Sequence, residues 1–187
     1  AEEDFGRIRD ALEILSKAPI YIDDKPGNNI LAMRAVARRL KRERGIGLIV
    51  VDYLQLITPT GSKHNDNVVQ QITEISRALK QLARELEVPV LALSQLSRDV
   101  EKRGGSGRPK LSDLRDSGSI EQDADVVMFI HRDKESESQI AEILIEKHRN
   151  GATGMVELIF DGTKTTFIEV EKRDFSDFAP ESSQASG

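Results

Sequence analysis

The sequence predicts an α/β fold built on a parallel sheet. Three observations carry that reading. Helical and extended patterns alternate through the first half of the chain. Leu48, Ile49, Val50 and Val51 form a continuous apolar run, mostly β-branched, as expected for a strand covered on both faces. Val68, Ile72, Ile75, Leu79, Leu82 and Leu86 step by four and three, the spacing of a long amphipathic helix. Helix, strand, helix, strand, helix, strand in that order is the signature of βαβ units.

Taken in order, Phe5, Ile8, Leu12 and Leu15 recur at helical spacing, and Pro19 stops the helix. Ile20 to Ile22 reads as a short strand closed by Asp23, Asp24, Pro26 and Gly27. Ile30 through Arg44 reads as a second helix, apolar at Ile30, Met33, Val36, Ala37 and Leu40, with basic residues over the rest. The strand from Leu48 ends in Asp52, the long helix follows, and Pro89 opens the strand Val90 to Leu93. Ser97 to Ser119 reads as a long polar loop, rich in Gly and carrying Arg98, Lys102, Arg103, Arg108, Lys110 and Arg115. Val126 to His131 is a further buried strand. Ile140 to Ile145, Met155 to Phe160 and Thr166 to Val170 read as antiparallel edge strands, the last two joined by a turn at Asp161, Gly162 and Thr163. Residues 1–173 are expected to form one domain and 174–187 a loose tail rich in Ser, Asp and Ala.

Composition narrows the function. The chain has 187 residues, 38% hydrophobic and 32% charged, enough apolar material for a core. It contains no Cys, so disulfides and thiolate metal sites are excluded, and its three histidines lie far apart. A net charge of -5 rules out a globally basic nucleic-acid wrapper but leaves room for a local basic loop. No apolar run approaches the ~18 residues of a membrane span. Residues 1–6 carry no basic and apolar leader and no initiator Met, so the reading is a soluble cytoplasmic protein and a piece of something longer.

Four places offer chemistry. Asp52 stands at the carboxyl end of a predicted parallel strand, where ligands of open α/β sheets bind; an Asp there also serves as a helix or turn cap. Gln95 ends the next strand, where an amide can bond a phosphate or an attacking water, or simply close the strand. The stretch from Arg108 to Asp125 puts cations beside flexible backbone N–H groups, a combination suited to phosphodiester oxygens and equally to a solvated loop. No aromatic residue lies between Ser97 and Ser119, so base stacking is unavailable there. Lys147 and Arg149 alternate at a strand end and share a face, beside a tight turn at Asn150-Gly151.

Considered together, these segments resemble a family. Asp-Tyr-Leu-Gln-Leu from Asp52, Ser-Gln-Leu-Ser-Arg from Ser94, Arg-Asp-Ser-Gly-Ser-Ile-Glu-Gln-Asp-Ala-Asp from Arg115, and Lys-His-Arg-Asn-Gly-Ala-Thr-Gly from Lys147 occur in the order seen in the C-terminal motor domain of hexameric replicative DNA helicases of the DnaB type. Tyr-Ile-Asp-Asp-Lys-Pro-Gly from Tyr21 is similar to that family too, and the resemblance covers Ala1 to Val170. It implies a partial RecA-like P-loop NTPase core: a mostly parallel central sheet flanked by helices, with antiparallel edge strands at the C-terminal end. It also implies ATP and Mg²⁺ as cofactors, single-stranded DNA as partner, a homo-hexameric parent, and primase and a helicase loader as further partners. By the same resemblance, Asp52 matches the Walker B carboxylate that holds Mg²⁺ through water, and Gln95 the residue linking γ-phosphate state to the DNA loops. Arg115, Asp116 and Gly118 match positions on the DNA backbone. Lys147 and Arg149 match the pair that reaches a neighbour's γ-phosphate.

The chain departs from the pattern in places. Asp116 stands where Glu is usual, Ala152 stands where Pro is usual, and the segment from His131 lacks the tyrosines often found there. No Gly-x-x-x-x-Gly-Lys-Ser/Thr occurs in the chain, so the phosphate-cradling loop and the catalytic Glu are expected upstream of Ala1, and the chain alone is expected to be inactive. Two other readings of the same residues are a RecA-like recombinase and a non-catalytic DNA-binding or assembly module.

Overall fold

The computed structural model describes residues 2–25, 29–58, 68–97, 100, 107–133 and 139–170, with the backbone alone at 2–3 and 115–117. The expected tail, 174–187, lies outside the described residues. The chain divides into two compact units, one of residues 1–96 and 114–124, the other of residues 97–113 and 125–187.

The first unit is the α/β part. It holds α1 (Glu2–Lys17), α2 (Ile30–Arg44), β1 (Ile49–Val51), α3 (Val68–Leu86), β2 (Val90–Ala92) and the short α4 (Gly118–Asp123). Helix α2 has local reasons for both ends. The Asn29 side chain accepts the Ala32 N–H at 2.8 Å, and Gly45, at φ 65°, takes the left-handed turn that releases the chain while its N–H donates to the Lys41 carbonyl. Helix α3 supplies the largest share of the core through Ile72, Ile75, Leu79 and Leu82, packed with Ile30, Ala37, Val51, Leu54 and Ile57. Ser76 is also buried, and its hydroxyl donates to Asp123 at 2.7 Å, so burial leaves the hydroxyl paired and ties α3 to α4.

Strands β1 and β2 pair in parallel, with Val51 opposite Ala92. One face of this pair is buried at Val51, whereas Val50 and Leu91 on the other face are exposed among the described residues. The expectation of a strand covered on both faces is met on one. The expected strand at Ile20 to Ile22 pairs in no ladder among the described residues, and its three side chains are exposed. Extended propensity forms a strand only where a hydrogen-bonding neighbour is present.

On the outer side of α2 and α3, Arg34 and Arg38 converge on Glu85. Arg34 donates from Nη2 at 2.6 Å and from Nε at 3.0 Å, and the Arg38 Nε bonds the other carboxylate oxygen. These two guanidiniums, Arg38 first, hold the Glu85 carboxyl at about 2 instead of 4.5. A carboxyl whose pKa is depressed by folding adds stability that is fully present above pH 4.5 and is lost as pH falls toward about 2. Glu85→Gln is therefore expected to flatten the acid limb of the stability curve in that window and to leave its slope above pH 5 unchanged. Urea midpoints measured across the pH series check this.

The second unit is a four-stranded antiparallel sheet in the order β3 (Val126–His131), β4 (Ile140–His148), β5 (Gly154–Asp161), β6 (Thr166–Glu169). Parallel and antiparallel strands are thus both present, in separate sheets. Strand β3 alternates, with Val127 and Phe129 buried and Val126, Met128 and Ile130 exposed, the pattern of a half-buried antiparallel strand rather than one enclosed on both faces.

The polar stretch predicted as a loop from Ser97 to Ser119 is folded over its second half. Two short 3₁₀ turns, separated by a kink at Leu114 (φ -77°, ψ 26°), run from Leu111 to Ser117 and lead into α4. Leu111 and Leu114 stand three apart, one 3₁₀ turn, and Leu114 is buried. Asp113 is buried as well and is bonded reciprocally to Lys110: its side chain accepts the Lys110 N–H at 2.8 Å, and its own N–H donates to the Lys110 carbonyl at 2.8 Å. That short ring holds the turn closed at its start.

Candidate functional site

In the first unit, the parallel register brings the carboxyl ends of β1 and β2 to one edge, and the residues singled out from sequence lie there. Asp52 follows β1 directly, and Gln95 lies three residues past β2. Two main-chain bonds fix this edge. The Leu93 N–H donates to the Val51 carbonyl at 2.9 Å, and the Leu54 N–H donates to the Leu93 carbonyl at 2.9 Å. The chain is pinned on both sides of Asp52 while its carboxylate is exposed. Apolar Val51 and Leu54, both buried, anchor the polar residue between them.

Gln55, in the 3₁₀ turn Leu54–Leu56, reaches across to the second strand. Its Nε2 donates to the Ser94 Oγ at 3.0 Å, and its Oε1 lies 3.5 Å from the Gln95 N–H, which points to it. The Gln55 amide thereby sets the main chain that carries Gln95. Sequence reasoning assigned Gln55 no role. Its signal was its place three residues after Asp52, where one tight turn returns a side chain toward the strand edge.

Gly118 begins α4 with an exposed position, and a Cβ built there would meet nothing within 4 Å. The Arg115 and Asp116 backbones run in the 3₁₀ segment just before it, and the readings placed on their side chains lie outside the described residues.

In the second unit, Lys147 and Arg149 come at the end of β4. The pairing of β3 with β4 is irregular: Val127 faces Lys147 whereas Met128 faces Ile145, so Glu146 is the extra residue of a bulge. A bulge reverses the alternation of faces, which puts Lys147 on the side of Val127 and Leu144 instead of the side of Ile145. Beyond the bulge, Arg149 stands opposite Asp125. The Arg149 N–H donates to the Asp125 carbonyl at 2.8 Å, and its Nη1 lies 3.2 Å from the Asp125 carboxylate. The turn that follows folds back so closely that a Cβ at Gly151 would lie 2.6 Å from the exposed His148 ring, which would have to swing aside to admit a side chain there.

Arg108, one of the cations counted from sequence, is held by Glu142. Its Nε donates at 2.8 Å and its Nη2 bonds the second oxygen, a two-point fork that holds the guanidinium above its ordinary range. Lys110 beside it is exposed. Among the described residues, no cluster of three or more His, Asp or Glu is arranged to hold a metal ion, and no helix is long and apolar enough to cross a membrane.

An acid and an amide near the carboxyl ends of neighbouring parallel strands stand at the edge where open α/β proteins as a class bind their ligands. The chain belongs to the DnaB-like helicase C-terminal domain family, whose model matches residues 1–169. It is 52% identical over 177 residues to the replicative DNA helicase DnaC of Bacillus subtilis (strain 168), covering 92% of this chain and 38% of that protein. A solved ATPase domain superposes with a TM-score of 0.84 at 46% identity, covering 90% of this chain and 61% of that one. A DnaB-like replicative helicase whose structure was described together with its interactions with primase superposes with the same TM-score of 0.84, covering 91% of this chain and 42% of that chain. The architecture is accordingly the RecA-like one expected from sequence, and this chain spans less than half the length of the first and third of these relatives.

Proposed function

We propose that this chain is the greater part of the motor of a longer replicative DNA helicase, which couples ATP hydrolysis to movement along single-stranded DNA and to duplex unwinding. The observation that supports it most is the shared edge of β1 and β2. There Asp52 directly follows β1 and Gln95 lies three residues past β2, at an edge held by main-chain bonds, in a chain of the helicase family.

In this reading Asp52 faces the nucleotide's metal. Mg²⁺ takes one or two protein carboxylates and fills its remaining positions with water and phosphate oxygens. A single exposed carboxylate fits that requirement, with contact through water. When bound with ATP, the ion neutralises charge on the transferring phosphate. Gln95 reads the state of that phosphate, and the chain leading from it toward the basic stretch carries the signal to the DNA side. Gln55 keeps the Gln95 backbone in register. Lys147 and Arg149 project from the second unit toward nucleotide held by a neighbouring copy in a homo-hexamer. The loop that would cradle the β- and γ-phosphates has no counterpart in this sequence. The chain therefore depends on a further segment for hydrolysis and is inactive by itself. Primase and a loader are the protein partners in this reading, and the cytoplasm is the compartment.

Arg115, Asp116 and Gly118 meet the DNA. With no aromatic platform between 97 and 119, contact is to the sugar-phosphate backbone and shows little base preference. In the full-length protein, Arg115→Ala is expected to weaken binding to all homopolymeric strands about equally. It is also expected to make the slope of log K against log salt shallower by roughly 0.7, the value for one phosphate contact on a single strand. Affinities measured across a salt series test this. An unchanged slope, or a loss confined to one base, would remove this segment from the DNA path.

A further inference from the structure

The double link between Asp125 and Arg149 is more than the ladder requires. The register of β3 and β4 puts the two residues opposite each other, one step beyond Val126 and His148. Their main chains are joined by the Arg149 N–H and the Asp125 carbonyl, which fixes where the arginine is rooted. The side chains are then joined a second time, by the 3.2 Å ion pair. The main-chain bond holds the root, so the guanidinium is the part that can change partner. Both side chains are about half exposed, 45% for Arg149 and 52% for Asp125. An ion pair in that setting is weak, and a more highly charged acceptor displaces it.

We propose that Asp125 is a positioning residue that parks the Arg149 guanidinium against its own subunit until a neighbour's triphosphate takes it. The inference rests on the reading of Arg149 as an arginine that acts on the adjacent copy. Asp125 competes with the polyphosphate for the same cation, and a phosphate bearing several charges wins when it is correctly seated. Emptied or misaligned sites leave Arg149 on Asp125, which keeps the cation from acting on nucleotide that is not yet in place. The strand register supplies the geometry, and removing the carboxylate charge leaves the backbone bond intact.

The test is single-turnover ATP hydrolysis by full-length rings carrying Asp125→Asn, Asp125→Glu, Arg149→Ala, or Asp125→Asn together with Arg149→Ala. Asp125→Asn preserves shape and removes the charge. It is expected to raise the DNA-independent rate by up to about fivefold, the range an exposed ion pair spans, with the nucleotide concentration at half-maximal rate unchanged. Asp125→Glu is expected to stay near wild type. The ratio of Asp125→Asn to wild type should fall toward one as salt screens the pair, and should be one in the Arg149→Ala background. A ratio at or below one at low salt overturns the proposal, as does an increase that persists without Arg149. Failure of the underlying reading shows differently: Arg149→Ala alone would then hydrolyse at the wild-type rate, and the parking role would fall with it.

Discussion

Replacing Arg149 by Ala in assembled rings is expected to lower ATP hydrolysis by on the order of 10³–10⁵ while nucleotide binding stays near wild type. The size of the effect follows from when the guanidinium acts in the proposed mechanism. Charge accumulates on the transferring phosphate in the transition state, and a planar donor brought in by the neighbouring subunit meets it there. Ground-state affinity depends on the phosphate cradle and is untouched. The structure makes the substitution a clean probe. Arg149 is anchored by its own N–H to the Asp125 carbonyl, so removing the side chain leaves the end of β4 and the following turn in place. Arg149→Lys should recover only a small part of the rate, since a point charge does not reproduce the two-pronged contact of the guanidinium. Equal losses in binding and in rate would place Arg149 in ground-state recognition instead.

Leu82→Ala is expected to destabilise the first unit by about 2–5 kcal/mol, the cost of emptying a sealed position in a packed core. Leu82 is 0% exposed and belongs to the cluster that joins α3 to α2 and β1. Leu12→Ala on α1 serves as the comparison. Leu12 sits in an equally regular apolar pattern but is 60% exposed, and its loss is expected to change stability by no more than about 0.5 kcal/mol. Urea midpoints followed by circular dichroism separate the two, with an unchanged denaturant slope marking a loss of packing rather than of cooperativity.

These two leucines show what the sequence makes legible. Periodicity identifies α1 and α3 equally well, since it reports which face of a helix is apolar. It does not report what covers that face, which is decided by residues far away in the chain. Helices α2 and α3 span Ile30–Arg44 and Val68–Leu86, as the spacing predicts, because their apolar stripes are continuous and, for α2, Asn29 and Gly45 mark the ends locally. Ile20 to Ile22 has the residue types of a strand, yet a ladder needs a partner that local composition cannot supply. The 3₁₀ turn within the predicted loop was written in Leu111 and Leu114, three apart among polar residues, a period easily lost beside so many charges.

At the candidate site, Asp52, Lys147 and Arg149 were legible because each lies at or just past the end of a strand, whereas Gln95, expected to end one, lies three residues past β2. The settings of these residues were not legible. The reach of Gln55 to Ser94 and the bulge at Glu146 depend on the register between strands that are distant in sequence. The meeting of Asp125 with Arg149, and the capture of Arg108 by Glu142, come from the same antiparallel pairing and the packing around it. Charge counting gave Arg108 the same standing as Lys110, and only the fold shows that one is spoken for.

The most direct test of the account is complementation between two inactive rings. Asp52→Asn subunits keep Arg149 but lose the carboxylate proposed to face the metal, and Arg149→Ala subunits keep Asp52 but lose the cation. Both variants are expected to form rings, the first binding nucleotide poorly and the second normally, with neither hydrolysing it. When the two are dissociated, mixed and reassembled, single-turnover hydrolysis should reappear, because an intact Asp52 site on one subunit now faces an intact Arg149 on its neighbour. Hydrolysis that fails to return at any mixing ratio, in rings shown to contain both subunits, would contradict the placement of Asp52 and Arg149 on opposite sides of one shared site.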